Sequence, residues 1–153
     1  MIRFSTILRT SGVLLDMDAS SLDEGIRVLL KPFESDPRIS DIKMFSEGIL
    51  KSPAPAIEED GVTICIPHSR TESARELVMS AGRPRVPILH PGIKSPIHLI
   101  FLAGIPSAFS SEYLRALGAI ARICKNTDFL TELLTTPSPM RFVEILDEGL
   151  NKM

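Results

Sequence analysis

A chain of 153 residues with a formal net charge of −2 can bury one substantial core without disulfide or metal staples. Its 44% hydrophobic and 24% charged residues describe an ordinary globular domain, and the absence of a positive excess argues against a nucleic-acid binder or a polybasic membrane anchor. No apolar run approaches the ~20 residues of a membrane-spanning helix.

Cys65 and Cys124, the only cysteines, lie in apolar segments. The N-terminal stretch is too broken by Arg3, Arg9 and Thr10 to form a signal-peptide core. The thiols therefore read as small core residues in a reducing compartment, and the cytoplasm is the expected location. The densest basic run, Arg83-Pro84-Arg85, fits a local anion or acidic-partner site as well as a solvated loop.

Val13-Leu14-Leu15-Asp16 opens the chain's regular structure as an extended segment. Ser21-Leu22-Asp23-Glu24 then fits a capping box, with Ser21 as N-cap. The helix after it carries Leu22, Ile26, Leu29 and Leu30 at helical spacing and should end near Pro32. After a turn at residues 37–40, Asp41 can cap a second helix whose apolar side is Ile42, Phe45, Ile49 and Leu50. Residues 52–56, with two prolines, break that helix, and Glu58-Glu59-Asp60 reads as an acidic turn into Gly61.

Thr63-Ile64-Cys65-Ile66 is a short β-branched strand pattern, and Pro67, with no amide to donate, should end it. His68 then stands at a strand end, followed by Ser69, Arg70 and Thr71. Residues 71–79 are compatible with a helix, and 83–91, punctuated by Pro84, Pro87 and Pro91, with an extended edge segment. Residues 96–106 form the clearest strand. Its near-continuous apolarity calls for cover on both faces, hence a central place in the sheet. Ser110 or Ser111 caps a helix bearing Leu114, Leu117, Ile120, Ala121 and Cys124. Asp128 starts a short helix with Phe129, Leu130, Leu133 and Leu134, and Pro137-Ser138 opens the last, with Met140, Phe142, Val143, Ile145 and Leu146. Helices before, between and after the strands predict an α/β fold, a small mixed β-sheet sandwiched by helices on both faces. Without an internal repeat or a dividing linker, residues 1–153 are expected to form one domain.

Of the three histidines, His90 falls in a loop and His98 opens the most apolar strand. Cys65 with His68 is the only close Cys/His pair, and strand alternation turns the two apart, so no metal site is expected. Neither a nucleophile elbow nor a phosphate-cradling glycine loop occurs, which removes a serine hydrolase and a nucleotide site and leaves no cofactor to expect. What remains is His68: a neutral imidazole can attack a phosphoryl group directly, and Ser69, Arg70 and Thr71 could hold its oxygens. Position alone also suits a surface histidine in a strand-end turn.

The run Thr63-Ile64-Cys65-Ile66-Pro67-His68 resembles the G-I-A-I-P-H signature of IIA components of the sugar phosphotransferase system, mannitol/fructose type, which include the nitrogen-regulatory IIA proteins. Residues 96–106 are similar to the family's P-V-H-L-V-F-L-L-x-x-P strand, residues 111–117 to its x-E-H-L-x-x-L helix start, and residues 128–146 to its last two helices. The resemblance implies a mixed sheet between helices. It also implies that His68 accepts a phosphoryl group from an HPr-like phosphocarrier and passes it to a IIB domain, or signals by its phosphorylation state. A chain without a IIB or IIC segment is expected to be regulatory rather than dedicated to transport.

Two departures bear on that expectation. The family's second histidine falls on Tyr113, and its arginine before the signature has no match nearer than Lys51. Lysine is a point charge and cannot grip phosphate as a bidentate fork. Arg70, Tyr113, Lys51 and Ser69 are the phosphoryl-binding candidates around His68. The alternative is a phosphorylation-impaired binding module that regulates a kinase, channel or transporter through the face around His68, and Tyr113 is the residue that favours it.

Overall fold

The computed structural model describes residues 2–151. Along the chain it contains α1 (Phe4–Ile7), β1 (Leu8–Met17), α2 (Leu22–Leu30), α3 (Ile42–Lys51), β2 (Ala56–Glu59), β3 (Val62–Cys65), β4 (His68–Arg70), β5 (Val78–Pro84) and β6 (Ile97–Ile105). After these come α4 (Ser110–Lys125), α5 (Thr127–Thr135) and α6 (Pro139–Asn151), while single 3-10 turns occupy Lys31–Ser35 and Ser107–Phe109. The strands form one mixed sheet in the order β1-β5-β6-β3-β2, with β4 also paired to β6. β6 runs antiparallel to β5 and parallel to β3 and β4, and β1 runs parallel to β5.

β6 alternates its side chains between two cores, as a pleated strand must. Leu99, Phe101, Ala103 and Ile105 face a cluster completed by Tyr113, Ala116 and Ile120 of α4, Leu133 of α5 and Phe142 of α6. Ile100 and Leu102 face the other, with Leu29 of α2 and Phe45 and Ile49 of α3. The sheet is thus covered on both sides, and the continuous apolarity of β6 has its explanation. Ser21 and Asp41 cap α2 and α3 as their sequences predict, accepting from Glu24 N and Met44 N. Both cysteines are buried free thiols, and burial pushes them up from the ordinary 9.0 to about 11 at Cys65 and about 12 at Cys124.

Tertiary pairing overrode several local expectations. Residues 71–79 are not helical. Ser73 O accepts from Ser40 N, Arg75 N donates to Arg38 O, and Val78 already pairs with Gly104 in β5. A strand partner on β6 outbid a helix that offered only local hydrogen bonds. The acidic turn is narrower than expected. Residues 56–59 form β2, antiparallel to β3, and the hairpin turns on Asp60 (φ 50°) and Gly61 (φ 80°), the left-handed pair that a two-residue hairpin requires. The edge strand expected over 83–91 is absent. β5 lies inside the sheet and stops at Pro84, and beyond it only Ile88 bridges back to Ile97.

The caps and faces of the later helices also shift. α4 begins after Phe109 with no side-chain cap, and its buried face is Tyr113, Ala116, Ala119, Ile120, Ile123 and Cys124, with Leu114 outside. Asn126, not Asp128, caps α5, accepting from Phe129 N.

Gly104 shows how tightly α3 lies on β6: a Cβ there would collide with the ring of Phe45. Gly104→Ala should destabilise the domain by ~1–3 kcal/mol through overpacking, read as a lower urea midpoint at unchanged m-value. A variant as stable as the wild type would show that Phe45 has room to move.

Candidate active site

The site begins with Pro67. β3 leaves the sheet at Cys65, and Pro67, lacking an amide, cannot continue the ladder as a donor. Its carbonyl still accepts from Ala103 N at 3.0 Å. The chain is thereby held on β6 and resumes as β4, with His68 opposite Ala103, Ser69 opposite Gly104 and Arg70 opposite Ile105. Pro67 therefore interrupts the strand rather than ending it. Its consequence is a histidine mounted on the central strand, not on a free loop.

Strand alternation sorts the next three side chains. Ser69 is buried on the α3 side, its hydroxyl against Gly48. His68 and Arg70 emerge together on the α4 side. His68 is half-buried, and its ring lies 5.4 Å from the ring of Tyr113, centroid to centroid, tilted by 35°. Arg70 donates from Nη1 to Ser110 Oγ at 2.8 Å, and Ser110 Oγ donates in turn to Ser107 O at 3.1 Å. Glu72 accepts from Ser107 N at 2.8 Å, and this bond holds its carboxyl below the usual range. The loop after β6 is so tied to the loop after β4.

Of the residues singled out in the sequence, the fold brings His68, Arg70 and Tyr113 together. Ser69 points away from them. Lys51, the exposed last residue of α3, has no hydrogen bond, ion pair or ring contact with them. Ser110 is the site residue the sequence did not single out. Two adjacent serines offered equivalent hydroxyls as caps, and only the pairing of β4 with β6 decides which one meets Arg70. Among the described residues no cluster could hold a metal ion.

The hydrogen bonding of His68 follows from geometry. Its Nδ1 lies 2.9 Å from Ile66 O, and a carbonyl oxygen can only accept, so Nδ1 donates to it and Nε2 is the ring nitrogen left for other partners. The ring is held in orientation by its own backbone. Tyr113 is 3% exposed, and its hydroxyl has no hydrogen-bond partner. Burial raises the phenol above its ordinary 10.0, opposed by the nearby Arg70 guanidinium. The phenol thus stays protonated at neutral pH. A buried, unpaired hydroxyl beside a nucleophile is a donor awaiting an acceptor.

Residues 6–149 match the family described as the phosphoenolpyruvate-dependent sugar phosphotransferase system, EIIA 2. No curated protein matches the sequence. Among solved structures, the nitrogen regulatory protein IIA-Ntr from Neisseria meningitidis is similar at 24% identity and TM-score 0.74, covering 93% of this chain and 97% of that one. The mannitol-specific cryptic phosphotransferase enzyme IIA from Escherichia coli is similar at 22% identity and TM-score 0.67, covering 97% and 100%. The mannitol IIA of Escherichia coli aligns at 13% identity and TM-score 0.66, covering 88% and 95%. At these identities the solved structures speak to the fold alone.

An unpaired buried hydroxyl does nothing for stability. Tyr113→Phe should leave the domain as stable as the wild type at pH 7, or more stable by ~1 kcal/mol. The alkaline limb separates the two. A phenol whose folded pKa is raised contributes stability that is present below the unfolded value of about 10 and is lost as pH rises beyond it. The wild type should therefore lose more stability than Tyr113→Phe between pH 9 and roughly 11 in urea titrations. Equal losses would mean that the phenol ionises as freely folded as unfolded.

Proposed function

The chain belongs to the EIIA type 2 family of the phosphoenolpyruvate-dependent sugar phosphotransferase system, and we propose that its phosphoryl acceptor is Nε2 of His68. The observation that carries this reading is the bond from Nδ1 to Ile66 O, which occupies one ring nitrogen and leaves Nε2 as the one that can meet phosphorus. Membership of the family implies an HPr-type donor and a IIB-type recipient. Among the described residues no helix is long and apolar enough to cross a membrane.

The transfer balances without a metal or an external base. The Nε2 lone pair forms a bond to phosphorus as the donor's N–P bond breaks in line, and that electron pair returns to the donor's ring nitrogen. The Nδ1 proton stays on His68, where Ile66 O accepts it, so positive charge arising on the ring is already hydrogen-bonded. The equatorial phosphoryl oxygens need donors, and Tyr113 Oη supplies one at no cost in broken bonds. Arg70 supplies a guanidinium on the same face once it exchanges Ser110 for the phosphoryl group. Lys51 and Ser69 have no place in this arrangement.

Tyr113 also bears on the output. A phenol donates one hydrogen bond but cannot take up charge near neutrality as an imidazole can, which favours a phosphohistidine that persists over one that turns over quickly. We take the phosphorylation state of His68, read by a kinase, channel or transporter, as the regulatory signal. The binding module without phosphorylation is the second reading, favoured by the same substitution of a phenol for an imidazole.

Incubated with phosphoenolpyruvate, enzyme I and an HPr-type carrier, the protein should gain one acid-labile phosphoryl group. His68→Ala should not, while His90→Ala and His98→Ala should. Tyr113→Phe should slow labelling on the order of ten- to a hundredfold, the value of one hydrogen bond to a charged group, and Tyr113→His should speed it. Absence of label on a wild type that still binds its partner would assign the chain to the second reading.

A further inference from the structure

Ser110 belongs to the site by register. His68 and Arg70 alternate with Ser69 on β4 and leave the strand on one side, while Ser110 and Tyr113, at i and i+3, share one face of α4. The two pairs meet rung to rung: the ring of His68 lies against that of Tyr113, and Arg70 Nη1 donates to Ser110 Oγ at 2.8 Å. The guanidinium is near enough for its charge to act on the Tyr113 phenol. Among the described residues Arg70 makes no ion pair. Glu72, the carboxylate close to it in sequence, is turned on Ser107 N at 2.8 Å. What holds the cation beside His68 is therefore a neutral hydroxyl.

That hydroxyl has a direction. Its proton goes to Ser107 O at 3.1 Å, so only its lone pairs face the guanidinium. Ser107 O also accepts from Ser110 N, so the carbonyl does not depend on the hydroxyl for a partner. Ser110 thus offers Arg70 an oxygen of the kind a phosphoryl group would offer, without the charge. An anionic phosphoryl oxygen displaces such a partner readily, because hydrogen bonds between two ionised groups are stronger than those to a neutral acceptor. A carboxylate in the same place would be displaced far less readily.

We propose that Ser110 is a positioning residue that acts through Arg70: it holds the guanidinium beside unloaded His68 and yields it to a phosphoryl group, so that the strength of the acceptor at position 110 sets how far the equilibrium of His68 lies toward the loaded form. The inference rests on the proposed phosphorylation of His68. No covalent bond changes at Ser110, and one hydrogen bond is exchanged for another. A partner that binds Arg70 only in the unloaded state weighs against loading by the strength of that bond, and removing it favours loading by the same factor.

The test is the equilibrium distribution of phosphoryl groups between the full chain and an HPr-type carrier, approached from both sides. Ser110→Ala should shift it toward loaded His68 about threefold, a modest factor because the bond removed is exposed. Ser110→Asp should shift it the other way, on the order of tenfold, with no fall in urea midpoint, since an acidic residue suits the first turn of a helix. Ser110→Thr keeps the acceptor and should lie nearest the wild type. In an Arg70→Gln background the effect of Ser110→Ala should vanish, a coupling that a mere staple between loop and helix would not show. A wild type that takes no label would overturn the reading of His68 and the role of Ser110 with it. With the wild type labelled, the role of Ser110 alone fails on any of three results: a loaded fraction lowered or unmoved by Ser110→Ala, a shift that survives Arg70→Gln, or a Ser110→Asp protein that loads as fully as the wild type.

Discussion

The whole arrangement hangs on β6 being hydrogen-bonded along both edges, to β5 on one and to β3 and then β4 on the other. A strand so enclosed cannot shift register without turning Phe101 and Ala103 out of one core and Ile100 and Leu102 out of the other. Whatever is paired to it is therefore fixed in space to within the tolerance of a ladder. His68 inherits that precision through Pro67 O and Ala103 N. The proline could not have donated, and the ladder at this point does not ask it to. It asks only for an acceptor.

The same strand carries a second histidine near its start, and the comparison of the two is instructive. In both rings Nδ1 donates to a carbonyl two residues back. Donor and orientation are thus alike, and what differs is company. His68 stands against a buried phenol whose hydroxyl has nothing to bond, with one guanidinium on its face. His98 stands among two guanidiniums, a carboxylate and apolar walls. The first setting is the one the proposed phosphoryl loading of His68 calls for, with donors that could steady its oxygens.

On the reading proposed above, the output of the protein comes down to how long His68 stays loaded. On that reading, a phenol in contact with the His68 ring steadies phosphoryl oxygens but cannot share the ring's changing charge, so a phenol at position 113 would act on rate more than on folding. Arg70 complements it. Tied to Ser110 at the start of α4, it is a cation in reserve, and its release would be felt at the helix N-terminus and in the loop bound through Glu72.

Much of this was legible in the residues. The apolar runs and caps that gave β6, α2, α3 and α6 are local. The alternation that puts Ser69 on one side of β4 and His68 and Arg70 on the other was not legible, because Pro67 read as the end of the strand and its carbonyl's bond to Ala103 N comes from a distant residue. Sequence also flagged Arg83 and Arg85, as a dense basic run that suits a local anion or acidic-partner site as well as a solvated loop. Only the family resemblance placed Tyr113 beside His68, and nothing placed Ser110 beside Arg70, because each pair is separated by some forty positions and meets through the register of β4 against β6. For the same reason residues 71–79 read as helix and fold otherwise. Helical periodicity is written in neighbours, but the backbone partners that won, on β6 and on the segment 38–40, belong to distant parts of the chain. Local chemistry determined which groups the protein possesses, and long-range hydrogen bonding decided which of them share a site.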